Sequence, residues 1–177
     1  LSAGIYSVAS RVLYLMQLPA TAIGIVMFSR YNFSNENLVT FADNEQQIFN
    51  TILSYIALLS TMAVLFILIF GEFFIVVLFG EHYRESHTIL KLLGYSMTPL
   101  FLLQPLVNIS IHRLMYRELL LISGFAALVS LLLNYILIPD IGGDGAALAT
   151  ISAYYLFFFG ILFSIVKRLK NILLRRT

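Results

Sequence analysis

The chain has 177 residues, of which 60% are apolar, 14% aromatic and 11% charged. A soluble domain carries about 25% charged and about 45–50% apolar residues, so water is not the main solvent of this chain, and its mean hydropathy of +0.91 says the same. A net charge of +2 with so large an apolar fraction excludes a nucleic-acid-binding reading, and the absence of cysteine excludes disulfides and thiolate metal sites.

Five apolar spans are predicted, roughly 3–28, 48–79, 86–111, 119–138 and 146–166, each reaching or exceeding the ~20 residues that a helix needs to cross about 30 Å of hydrocarbon. The fold class is therefore an all-α membrane protein with five transmembrane helices, with no signal peptide and a basic tail at 167–177. In the first span a guanidinium stands out, because burying Arg11 in lipid costs about 2.5–3.5 kcal/mol. Wrapped at 100° per residue, Ser7, Ser10, Arg11, Tyr14, Gln17 and Thr21 fall within an arc of about 120°. Such a stripe suits a water-filled cavity in which the planar five-donor fork of Arg11 holds an anion such as phosphate; the alternative is an arginine that snorkels to the headgroups.

The polar segment 29–47 follows, and Asp43 to Gln46 approximates a capping box that opens the second span. Gln47, Asn50, Ser54 and Thr61 share one face of that span, which Gly71-Glu72 is expected to interrupt, leaving 73–79 as a bent outer turn. Glu72 is the one carboxylate inside an apolar run, readable as a proton or Na⁺ carrier or as an interfacial group. In the third span Gln104 and Asn108 lie one turn apart, and in the fourth Ser123, Ser130 and Asn134 align. These amides and hydroxyls either reach sugar hydroxyls in a polar interior or bond neighbouring helices. Pro19, Pro99 and Pro105 remove backbone donors and predict bends that a neighbour or a cavity must compensate.

Pro139 to Asp144 reads as a stop, a tight turn and an N-cap at Asp144, after which Ala146, Ala149, Ala153 and Gly160 form a small-residue packing seam. Gly142 to Ala147 lacks the strand and βαβ context of a phosphate loop, and His82 and His87 are not spaced to stack two metal ligands on one helix face. No nucleophile, base and orienter share a depth, so neither catalysis nor a cofactor is expected. Arg30, Arg113, Arg117, Lys167, Arg168, Lys170, Arg175 and Arg176 collect on one side of the predicted topology, against Arg84 and Lys91 on the other. The positive-inside bias makes the C-terminus cytoplasmic and Leu1 external, which calls for an odd number of helices upstream.

Three groups of strings carry a resemblance. Ala3-Gly4-Ile5-Tyr6-Ser7-Val8-Ala9-Ser10-Arg11-Val12 with Leu18 to Ile23, then Leu78-Phe79-Gly80-Glu81-His82-Tyr83, then Leu133-Asn134-Tyr135-Ile136-Leu137-Ile138-Pro139 running on to Thr150, occur in the order expected of one family. Together they resemble the C-terminal half of the polysaccharide and O-antigen flippases, within the multidrug and oligosaccharidyl-lipid exporter superfamily. The resemblance implies a two-lobed, MATE-like fold in the bacterial plasma membrane, with these spans as helices eight to twelve and an N-terminal lobe of the same chain as partner. It implies transport of an undecaprenyl-diphosphate-linked oligosaccharide, with Arg11 on phosphate and Tyr14, Gln17, Asn50, Gln104, Asn108 and Asn134 offered to sugar. A cation-coupled exporter of the same fold, a membrane-embedded glycosyl-transfer enzyme and a non-transporting scaffold are the competing expectations.

Overall fold

The computed structural model describes residues 2–33 and 42–174, with side chains at 4–22 and 54–168, Ala20 and His112 excepted. Among the described residues every regular element is helical: α1 (Ser2–Phe33), α2 (Ala42–Phe79), a short 3-10 turn (Glu81–Tyr83), α3 (Ser86–Gly94), α4 (Met97–His112) and α5 (Tyr116–Leu174). Ser54–Phe79 and Tyr116–Arg168 are long and apolar enough to cross a membrane, and α3 with α4 forms a third candidate bent by 46°.

The outward faces explain why lipid suits this chain. The exposed large side chains of α2 include Tyr55, Leu58, Met62, Leu65, Ile69, Phe73 and Val77, three or four residues apart, with Phe70 and Leu78 beside them. That spacing keeps one continuous apolar stripe on the outside of the helix, the reverse of a helix in water. Ile56, Ser60, Ile67, Gly71 and Ile75 turn inward against α3 and α4. Two of the inner serines bond back to their own helices: Ser60 Oγ donates to the Ala57 carbonyl at 2.8 Å and Ser110 Oγ to the Leu106 carbonyl at 2.8 Å.

Helix α2 runs unbroken through Gly71-Glu72, which corrects the expected bend there. The glycine serves close approach instead, because a Cβ at Gly71 would sit 3.3 Å from both His87 Cδ2 and Leu90 Cδ2 of α3. Helix interiors tolerate a glycine at about 1 kcal/mol, and packing against α3 offsets that cost.

Helix α5 is two antiparallel arms, 116–141 and 143–168. Its backbone leaves helical geometry at Gly142, with φ 59° and ψ −126°, a region open to glycine. A Cβ at Gly145 would lie 2.6 Å from the Leu137 carbonyl oxygen, and one at Gly160 would lie 2.5 Å from Ile122 Cγ2. In a straight helix residues eight apart are about 12 Å distant, so the chain has folded back on itself. The reversal is tighter than the loop expected from Pro139 to Asp144: helix continues to 141 and resumes at 143. Of the predicted small-residue seam, Ala149 is fully buried, Ala146, Ala153 and Gly160 are half-buried, and Gly160 lies against Ile122 of the first arm.

Of the three predicted proline bends, the structure resolves the compensation at Pro99. Proline has no N–H to give the carbonyl four residues earlier, here that of Tyr95, and the chain bends between α3 and α4 around Tyr95-Ser96. The freed carbonyl accepts a hydrogen bond from Tyr155 Oη of the second α5 arm at 3.1 Å. Tyr155→Phe is therefore expected to lower stability by about 1 kcal/mol, measured as a lower midpoint of thermal unfolding in detergent, with no loss of helix content by circular dichroism.

A capping motif at the far end of α4 positions the next turn. Leu114 takes φ 55°, Leu114 N–H donates to the Ile111 carbonyl at 3.0 Å and Met115 N–H to the Ser110 carbonyl at 2.8 Å. This is the Schellman arrangement with leucine where glycine is usual. It swings Met115 into the core beside Ile161 and Ile165, and leaves Leu114 70% exposed.

Candidate functional site

The core decides which way α1 faces. Val8, Ala9, Val12 and Leu13 are buried and pack in one cluster with Leu93, Met97 and Phe101 of α3 and α4. At 100° per residue the stripe of Ser7, Ser10, Arg11, Tyr14, Gln17 and Thr21 falls on roughly the opposite side of α1, and Arg11 and Tyr14 are exposed. The predicted stripe thus lies on roughly the opposite side of α1 from the buried core residues, with Arg11 outermost and Tyr14 at the edge toward α5.

Its members differ in what they can offer. Ser10 Oγ donates to the Ser7 carbonyl at 3.0 Å and Thr21 Oγ1 to the Gln17 carbonyl at 3.1 Å, so both hydroxyl protons are spent on α1 itself. Arg11 keeps its fork at the surface, and Gln17 is half-buried below it. Tyr14 lies beside Tyr154 of the second α5 arm. One edge of the stripe therefore adjoins α5 through tyrosines. A second link lies two turns back, where Tyr6 Oη meets Thr150 Oγ1 at 3.0 Å. Thr150 already donates to the Ala146 carbonyl at 2.8 Å, so Tyr6 is the donor.

Gln104 and Asn108 sit half-buried on α4. Asn134 donates through Nδ2 to the Ser130 carbonyl at 2.8 Å, which ties one of its amide protons to its own helix. It lines an open concavity of about 530 Å³ with Tyr135, Ile138 and Pro139, and none of the other candidates takes part in that lining. The structure thus unites the α1 candidates on one face and leaves Asn134 at a separate place. The side chains of Arg30, Asp43, Gln47 and Asn50, and those of the tail beyond Arg168, lie outside the described ones.

Sequence reasoning passed over Tyr6, Thr150 and Tyr154, groups through which α1 meets α5. The available signal was spacing: Thr150 and Tyr154 are one turn apart, and Tyr6 is two turns before Tyr14.

Glu72 is paired with groups from beyond the end of its helix. Arg84 Nε donates to its Oε1 at 2.7 Å, Arg84 Nη1 also lies 3.5 Å from Glu81, and His87 Nδ1 is 3.6 Å from Glu72 Oε2. The Glu72 hydrogen bond, with Glu81 beside it, holds the Arg84 guanidinium above its ordinary value, so this cation keeps its charge at any working pH. Among the described residues no three His, Asp or Glu side chains are grouped to hold a metal ion.

The fold and its outward faces define a helical chain with helices able to cross a membrane. No family model matches it, and no curated protein or solved structure is similar enough to be counted as a relative.

Proposed function

We propose that this chain is the C-terminal lobe of a MATE-like flippase, a transporter rather than an enzyme, that moves an undecaprenyl-diphosphate-linked oligosaccharide across the bacterial plasma membrane with its C-terminus in the cytoplasm. The observation that carries the reading is the direction of the α1 stripe: Arg11 and Tyr14 are exposed on one face, with Leu18 between them and Ser7, Ser10, Gln17 and Thr21 half-buried alongside, while the outward faces of α2 and α5 carry mainly leucine, isoleucine and phenylalanine. A guanidinium facing hydrocarbon costs several kcal/mol. An aqueous cleft closed by an N-terminal lobe removes that cost and supplies a place for pyrophosphate, while the prenyl chain stays in lipid.

Arg11 binds phosphate in this scheme through paired N–H donors, Tyr14 and Gln17 meet the first sugars, and Asn50, Gln104, Asn108 and Asn134 lie along the route. Alternating access comes from two lobes rocking about the site. A cation-coupled exporter fits less well, because Glu72 is already paired with Arg84. The test is export of polymer by the full-length protein. Arg11→Ala should reduce export at least about a hundredfold, and Arg11→Lys should restore part of it by keeping charge without the bidentate geometry. Unchanged export in Arg11→Ala would refute the phosphate role.

A further inference from the structure

We infer that the turn between α4 and α5, together with the end of the second α5 arm, forms a docking surface for the headgroups of anionic phospholipids. The sequence separates the two pieces by some fifty residues, and the α5 hairpin brings them to one end. Met115 and Leu119 pack with Ile161 and Ile165, so Arg113 and Arg117 stand at the same end of the hairpin as Lys167 and Arg168. Arg117, Lys167 and Arg168 are exposed, and Arg113 is partly exposed. Among the described residues none of the four enters an ion pair. The exposed Glu118 offsets part of their charge.

The shape of the turn agrees with a lipid partner rather than an acidic protein or a free ion. Leu114, held at φ 55° by the capping motif, and Tyr116 are 70% and 54% exposed between the two arginines. A leucine and a tyrosine between arginines match the layering of a membrane surface, where apolar and aromatic side chains enter the headgroup region and cations meet phosphate. Each basic side chain near an anionic surface raises association by about fivefold, within a Debye length of about 8 Å at physiological salt.

The test uses the full-length protein in nanodiscs and compares spin-labelled phosphatidylglycerol with spin-labelled phosphatidylcholine by electron paramagnetic resonance. Phosphatidylglycerol should be preferred by at least about tenfold at low salt, and the preference should collapse in 1 M NaCl. The quadruple variant Arg113→Gln/Arg117→Gln/Lys167→Gln/Arg168→Gln should lose it. The pairs Arg113→Gln/Arg117→Gln and Lys167→Gln/Arg168→Gln should each lose part, which keeps the test decisive if the quadruple variant fails to fold. Arg84→Gln/Lys91→Gln and Arg11→Ala should retain it, the latter separating this surface from the transport site. Equal binding of the two lipids, a preference that survives the quadruple change, or displacement of the lipid by millimolar inorganic phosphate would overturn the inference.

Discussion

A cysteine pair introduced as Ile122→Cys and Gly160→Cys is expected to close into a disulfide almost completely under mild oxidation, and to do so only while the two arms of α5 lie against one another. A Cβ built at Gly160 lies 3.7 Å from Ile122 Cβ, close to the mean of about 3.8 Å found across disulfides. The chain has no cysteine of its own, so any intramolecular bond is the engineered one. Adding Gly145→Leu should prevent it. That side chain meets the Leu137 carbonyl oxygen, carbonyl carbon and Cβ at 2.6, 2.7 and 2.9 Å, and backbone, unlike the tip of a flexible side chain, cannot swing aside. Overpacking of this kind costs about 3 kcal/mol or more. Gel mobility with and without reductant reads both results, and full crosslinking in the Gly145→Leu background would show that the arms do not depend on that contact.

The second large effect belongs to Phe101, which is 1% exposed and joins α1, α2 and α3 in one cluster. Phe101→Ala is expected to destabilise by about 2–3 kcal/mol, below the about 3–5 of a water-soluble core. Lipid is as apolar as the helix interface, so the transfer contribution nearly vanishes and the unfilled volume remains. Leu121→Ala, on the exposed face of the first α5 arm, should change stability by less than about 0.5 kcal/mol, because lipid chains fill the space it leaves. Unfolding midpoints in detergent compare the two, and equal losses would mean that the first arm packs against protein.

Much of this architecture was legible in composition and periodicity. Helical runs of apolar residues are set by local backbone chemistry, and the stripe around Arg11 follows from 3.6 residues per turn alone. Which neighbour each face meets was less legible. Gly71 reads in sequence as a break, yet its use depends on His87 and Leu90 arriving from α3. Glu72 reads as an ion carrier or an interfacial group, and nothing local signals that Arg84 reaches it from the turn beyond the helix end. Pro139 and Asp144 suggest a loop, yet the φ of Gly142 lets a single residue reverse the chain. Arg11 was legible as unusual, and its outward direction was not, because only the packing of Val8, Ala9, Val12 and Leu13 decides which side of α1 is inside. These are facts of tertiary contact, to which local propensity is blind.

The hydrogen bond from Tyr6 to Thr150 joins residues 144 positions apart, and this sets an order of assembly. The α5 hairpin closes from neighbours in sequence and can form as soon as both arms have entered the membrane. Helix α1, synthesised before α2 to α5, cannot meet Thr150 and Tyr154 until the second α5 arm has been made. Loop closure over such a length is slow compared with local hairpin formation. The helix that carries Arg11 thus waits through the synthesis of α2, α3, α4 and the first α5 arm before its tyrosine contacts with α5 can form.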